Sequence, residues 1–144
     1  MNVLLSIRPK YVEEIVRGRK RYEFRRRVFR RDVGEVWIYA TSPVRKIVGT
    51  FRVGEIVRDS PAGLWRRFGE FSGVCEREFF DYFRGVEVGF AIRIDSLRVF
   101  RVPVDPWEIF VDFRPPRCFR YFDESSLNGG GVGVLKRVSF FEGV

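Results

Sequence analysis

The sequence predicts an α+β domain built on a small mixed β-barrel, with about three short helices inserted between the strands. Three observations predict it. Short β-rich apolar stretches bounded by turn residues outnumber the helical ones. The helical patterns fall one between two strands and two together in mid-chain, which is not the order of a βαβ sheet. No GxGxxG or GxxxxGK[ST] run is present, so a dinucleotide or P-loop fold has no support.

The elements follow in order. Residues 3–8 (VLLSIR) read as a buried strand that Pro9 stops. Tyr11, Val12, Ile15 and Val16 then recur at helical spacing, with Pro9 in the first turn and Gly18 at the C-cap. An extended segment, KRYEFR, comes next. Residues 35–40 (EVWIYA) and 47–53 (IVGTFRV) are strands about the turn Thr41-Ser42-Pro43. Asp59-Ser60-Pro61 starts a helix with Leu64, Trp65 and Phe68 as its apolar stripe. A helix over about 76–84 puts Phe79, Phe80 and Phe83 in a core, with Tyr82 its exposed exception. Residues 88–94 and 97–102 are two further strands. Prolines 103, 106, 115 and 116 mark an irregular path into CFRYF. Trp37, Trp65 and Trp107 read as packing. Residues 1–122 thus form the domain, and 123–144 a Gly-rich flexible tail that can end in an edge strand.

Composition narrows function. The 144 residues are 45% hydrophobic and 17% aromatic, which excludes disorder and suffices for a core without metal or disulfide. No apolar run approaches the roughly 20 residues that span a bilayer. Arg8 and Pro9 break the opening apolar run, so no secretory signal is expected. With no His, Ser-His-Asp triads, Cys-His dyads and His-ligated zinc are excluded. Cys75 and Cys118 are too far apart in sequence for a CxxC and read as small buried thiols of a reducing cytoplasm. The reading assigns no cofactor and no metal.

The formal net charge is +8, and only four of the 27 basic residues are Lys. The planar guanidinium suits phosphates, base edges and aromatic faces, so the expected partner is nucleic acid, not a membrane. The absence of Gln also fits a hot-growing source, where charge serves stability instead. The stretch Arg17–Arg31 holds nine basic residues and one acid, Glu23. Lys20 and Glu23 are three apart, so strict alternation on an extended segment points them to opposite faces. To share one face, the segment needs a bulge or a strand that begins after Lys20; otherwise the two form a plain surface ion pair.

The segment LLSIRPKYVEEIVRGRKRYEFRRR resembles the entry signature of ASCH domains, members of the PUA-like superfamily. Their pattern is a strand ending S-I-[KR]-P, a short helix and then G-x-K-x-x-E-x-R, here Ser6, Ile7, Arg8, Pro9 and Gly18, Lys20, Glu23, Arg25. Further ordered matches are IYATSPVRKIVGTF, SPAGLWRRFGEFSGVCEREFFDYFRG, GFAIRI and PPRCFRYF, so the resemblance covers about residues 3–122. It implies a PUA-like barrel with a ligand cleft at Arg8, Lys20, Glu23, Arg25, Tyr39 and Ser42. It implies RNA or a nucleotide as ligand, with Glu23 accepting from a base and Lys20 meeting a carbonyl or phosphate. Arg26, Arg27, Arg30 and Arg31, in the loop after the motif, are expected to track phosphates. Arg117 and Tyr121 are further candidates for a base contact, and Tyr39 for stacking.

A minority of the family are enzymes: one branch deacylates N4-acetylcytidine with a Lys, a Thr and a Glu, and another member is a ribonuclease. Lys20 matches that Lys, but Glu23 stands at the Thr position. A carboxylate is a poor acyl-transfer nucleophile toward an amide. The expectation is therefore a binding module, with Lys20 and Glu23 the residues to carry hydrolysis if there is any.

Overall fold

The computed structural model describes residues 1–141. Six strands form one mixed sheet that curls into a half-barrel: β1 (Asn2–Ile7), β2 (Tyr22–Arg25), β3 (Val36–Ala40), β4 (Lys46–Asp59), β5 (Gly89–Val104) and β6 (Phe119–Phe122), in the order β2-β5-β4-β3-β1-β6. β1 and β3 are parallel, and every other neighbouring pair is antiparallel. The helices are α1 (Pro9–Val16), α2 (Pro61–Phe68), α3 (Glu76–Tyr82), α4 (Pro106–Ile109) and α5 (Gly129–Lys136). The predicted α+β class holds, with five helices among the described residues where the pattern suggested three. None is long and apolar enough to cross a membrane.

Strand alternation builds the layers. Val3, Leu5 and Ile7 of β1 and Val36, Ile38 and Ala40 of β3 face one side, where Val12 and Ile15 of α1 cover them. Leu4, Trp37 and Tyr39 face the other, against Ile109, Phe110 and Phe113. Phe24 of β2 and Ala91 of β5 join Leu64, Phe68, Phe79 and Phe83 of α2 and α3 in a third cluster. The centre of the sheet, β1 and β3, is therefore buried on both faces, which explains why these two strands read as continuous apolar runs.

Local signals place the helices. Pro9 opens α1, and Gly18 leaves it at φ 78°, a conformation that favours glycine. Ser60 caps α2, its Oγ accepting from Gly63 N at 3.1 Å. Phe80, expected in the core, lies on the outer side of α3 and is 36% exposed, because Phe79 and Phe83 already occupy the inward stripe.

Three segments differ from the sequence reading. β4 continues to Asp59 through register shifts, well past residue 53. The two strands expected at 88–94 and 97–102 are one, β5, which bends at Ser96 (φ 51°), where its pairing with β4 slips by one residue and then resumes. The stretch read as a Gly-rich tail carries α5, whose four glycines make it a poor helix by propensity. Tertiary packing decides instead: Val134 and Leu135 lie on the Phe110 side of the sheet. Gly131 approaches so closely that an added Cβ would collide with the Ile109 carbonyl oxygen. Of the closing residues 135–141, read as a possible edge strand, Leu135 and Lys136 end α5 and only Phe140 makes an antiparallel bridge, to Phe100; residues 142–144 lie outside the described residues. Cys75 and Cys118 are exposed, not buried. Cys75 is drawn out as the N-cap of α3, where its Sγ accepts from Glu78 N.

Candidate nucleotide cleft

A cleft of about 770 Å³ opens where β1 ends, between α1, β2 and α3, with Arg117 reaching in from the segment before β6. Its floor is charged and dry. β2 begins only at Tyr22, so Lys20 precedes the strand, held by a lone bridge to Ser72. That is the second of the two ways for Lys20 to share a face with Glu23. Within the strand, Glu23 and Arg25 are two apart and face the cleft together, while Phe24 turns into the aromatic cluster.

Lys20 is 3% and Glu23 6% exposed. Lys20 Nζ donates to the Ser72 carbonyl at 2.8 Å and lies 3.6 Å from Glu23 Oε1. Glu23 Oε1 accepts from Phe24 N at 3.1 Å, and its Oε2 accepts from Arg25 Nη2 at 3.1 Å. Arg25 Nη2 also donates to the Ser6 carbonyl at 2.7 Å. The floor is thus a cation–anion–cation triad with one net positive charge. Burial lowers the pKa of Lys20, and the neighbouring Glu23 offsets this only in part. Burial also works against the Glu23 charge, yet Arg25 and Lys20 together hold that carboxyl below its ordinary value. Glu23 has lone pairs left for a base amine, but its first task is to neutralise its neighbours. An ammonium has three donors, so Lys20 keeps one for a ligand.

The mouth is ringed by Arg8, Arg26 and Arg117, joined by Lys10 and Tyr11 of α1 and Glu78 and Tyr82 of α3. Glu78 Oε2 accepts from Tyr11 Oη at 2.6 Å and from Lys10 Nζ at 3.0 Å. The Arg26 guanidinium lies over the Tyr82 ring at 4.5 Å, and Arg26 N donates to Tyr82 Oη at 3.2 Å. Tyr121 does the same further along the loop. Arg30 N donates to its Oη at 2.8 Å, and Arg31 lies over its ring at 4.9 Å. Phe29, buried against Phe119, pins the loop between them. Arg27, Arg30 and Arg31 are exposed, outside the cleft proper.

Of the residues singled out in the sequence, Arg8, Lys20, Glu23, Arg25, Arg26 and Arg117 come together. Tyr39 and Ser42 do not. Tyr39 is 1% exposed on the opposite face of β3, packed against Phe113 at 5.5 Å, because alternation from Ala40 sends it there. Ser42 is exposed in the turn, and Thr41 takes the cleft position next to it. Tyr121 braces the arginine loop from behind and does not line the cleft. Sequence reasoning missed Lys10, Tyr11 and Glu78. Tyr11 counted only as an apolar helix position, and nothing local tied Glu78 to a residue 67 positions away. Among the described residues no three Cys, Asp or Glu gather closely enough to hold a metal ion.

Comparison with known proteins agrees with this geometry. The ASCH domain family model matches residues 5–95. A protein of Zymomonas mobilis named an ASCH domain-containing ribonuclease is 33% identical over 121 residues, which cover 82% of each chain. The crystal structure of ASCH from Zymomonas mobilis superposes with a TM-score of 0.84 at 28% identity, over 96% of both chains. A mutant form of the Zymomonas mobilis protein gives the same TM-score at 27% identity, covering 96% of this chain and 99% of its own. The half-barrel, the G-x-K-x-x-E-x-R floor and these likenesses converge: the chain belongs to the ASCH domain family, with its PUA-like fold.

Proposed function

We propose that the protein binds RNA or a nucleotide in this cleft, with the rim arginines on phosphates and the floor against a base. One observation carries the reading. Arg8, Arg26, Arg27, Arg30, Arg31 and Arg117 have no carboxylate within ion-pair distance among the described residues, and they lie on the mouth and the loop leading from it. Other arginines, among them Arg52, Arg66 and Arg98, are also without an ion pair among the described residues, and what distinguishes this group is its place: Arg8, Arg26 and Arg117 line the cleft itself. Uncompensated guanidinium groups around a concave site are what an anionic polymer needs. Two free cysteines on the surface fit a reducing compartment, the cytoplasm.

The test is binding of labelled single-stranded RNA and of mononucleotides, followed by chemical-shift mapping. Replacing Arg8, Arg26 and Arg117 with Ser should weaken every ligand, and shifts should centre on Lys20 and Arg25. Tight binding whose shifts lie on the α4–α5 side would refute the site.

A second reading, RNA hydrolysis, is favoured by the name of the 33% identical relative. It is also favoured by a buried Lys of depressed pKa beside a carboxylate in a cleft, a pattern frequent at active sites. RNA cleavage that disappears in Lys20→Met would promote it; intact RNA after prolonged incubation leaves the binding reading alone.

A further inference from the structure

Glu78 is an acid on a mouth whose other charges are mostly cations, and unlike neighbouring Asp81 it is not paired with an arginine. A single oxygen, Oε2, draws together two donors from α1: Tyr11 Oη at 2.6 Å and Lys10 Nζ at 3.0 Å. The charge of Arg8 bears on the same carboxylate. An ammonium and a phenol aimed at one point, with a guanidinium near it, make a receptor for an oxyanion, and Glu78 is the oxyanion seated there.

We propose that Lys10 and Tyr11, with Arg8 beside them, form a phosphate subsite at the mouth, which the Glu78 carboxylate occupies until a ligand phosphate takes its place. This rests on reading the cleft as a nucleotide site and adds where one phosphate sits and what it must displace. The exchange is anion for anion, so neither donor is left unpaired at any stage. The side chains of Lys10 and Glu78 are 56% and 43% exposed, and an ion pair so open to water holds weakly. Glu78 can therefore swing away on α3 at little cost while its charge still selects against weakly held anions. Lys10 and Tyr11 lie one turn of chain from Arg8, so a phosphate held there remains in reach of the rim arginines.

Glu78→Gln separates a resident anion from a mere brace between α1 and α3, because it keeps the shape and one acceptor while removing the charge. The probes are inorganic phosphate, CMP and cytidine, followed by calorimetry and by shifts of the Lys10 and Tyr11 amides. The subsite predicts that Glu78→Gln tightens phosphate and CMP by about fivefold, the Coulomb penalty of a like charge some 4 Å away in water. Cytidine, which carries no phosphate, should be unaffected. Adding Lys10→Ser and Tyr11→Phe to the same background should cancel the gain. A gain shared by cytidine, or no gain for phosphate and CMP, overturns the proposal. The two readings fail separately. If phosphate binds at Lys10 and Tyr11 and responds to Glu78→Gln while neither nucleotide nor RNA binds, the subsite stands and the RNA reading falls. If RNA binds the cleft but ignores Glu78→Gln and the Lys10 and Tyr11 replacements, the subsite falls and the RNA reading stands.

Discussion

Replacing Glu23 with Gln should cost the domain far more stability than any surface charge. Glu23 is the only anion between Lys20, 3.6 Å away, and Arg25, 3.1 Å away, and all three sit on the buried floor. Side-chain exposures of 2%, 7% and 14% leave little water to screen them. Removing one partner of a buried ion pair costs about 3–5 kcal/mol, because the remaining charge is stranded. Domains of this size hold only about 5–15 kcal/mol in total. At roughly 3 °C per kcal/mol, the midpoint of thermal unfolding should fall by about 10–15 °C. Urea and thermal melts followed by circular dichroism measure this directly. Because burial holds the folded pKa of Lys20 below the ordinary 10.5, the deficit should shrink as the pH rises from that lowered value toward 10.5, where Lys20 sheds its proton more readily folded than unfolded and leaves only Arg25 uncompensated. In the wild type the sign is opposite at the acid end. The folded pKa of Glu23 lies below its ordinary value, so its contribution is complete above about 4.5 and is lost as the pH falls through that lower folded value. A change under about 1 kcal/mol at pH 7 would refute the argument, since it would mean the floor is wet and the three charges are screened.

Other outcomes follow from the same structure. If the arginine loop tracks a single strand, log K should fall with log salt at about −0.7 per neutralised phosphate, and Ser at Arg26, Arg27, Arg30 and Arg31 should flatten that slope; an unchanged slope makes them plain surface. N4-acetylcytidine should release no acetate, because Glu23 replaces a nucleophilic hydroxyl and is already engaged by Arg25 and Phe24 N; turnover lost in Lys20→Ala would overturn this. Gly131→Ala forces a Cβ against the Ile109 carbonyl and should cost about 1–3 kcal/mol, so an unchanged urea midpoint would show that α5 is not seated there.

Much of the fold was legible because β1 and β3 at the centre of the sheet are buried on both faces, so apolar runs and Pro or Gly boundaries marked them plainly. What escaped was decided at long range. Nothing near Ser96 says whether the chain turns or merely bends, since what continues the strand is its pairing with β4 on either side, across a one-residue slip in register. Glycines at 129, 130, 131 and 133 argue locally against a helix, and the packing that overrides them comes from Ile109, some 20 residues earlier. The cleft divides in the same way. Its floor lies in one short motif and was readable as a block, Lys20 to Arg25. Its mouth joins α1 to α3 across more than 60 residues, and no periodicity links Tyr11 to Glu78. Tyr39 shows the opposite hazard: one residue of strand phase separates the cleft side from the core.

The single parallel pair in the sheet has a consequence for how such a protein can change its ligand. Because β1 and β3 run the same way, the chain emerges from both at the same edge, where Thr41 N donates to the Ile7 carbonyl at 3.0 Å. Arg8 and Thr41 therefore stand side by side at the cleft, each on a connection that leaves the sheet. Substitutions or short insertions in these two connections re-shape the pocket while the ladder below keeps every hydrogen bond. The floor has no such freedom, since each of its three charges holds another in place. Drift in specificity thus has room at mouth residues such as Arg8 and Thr41, while the Lys20–Glu23–Arg25 unit can be altered only as a whole.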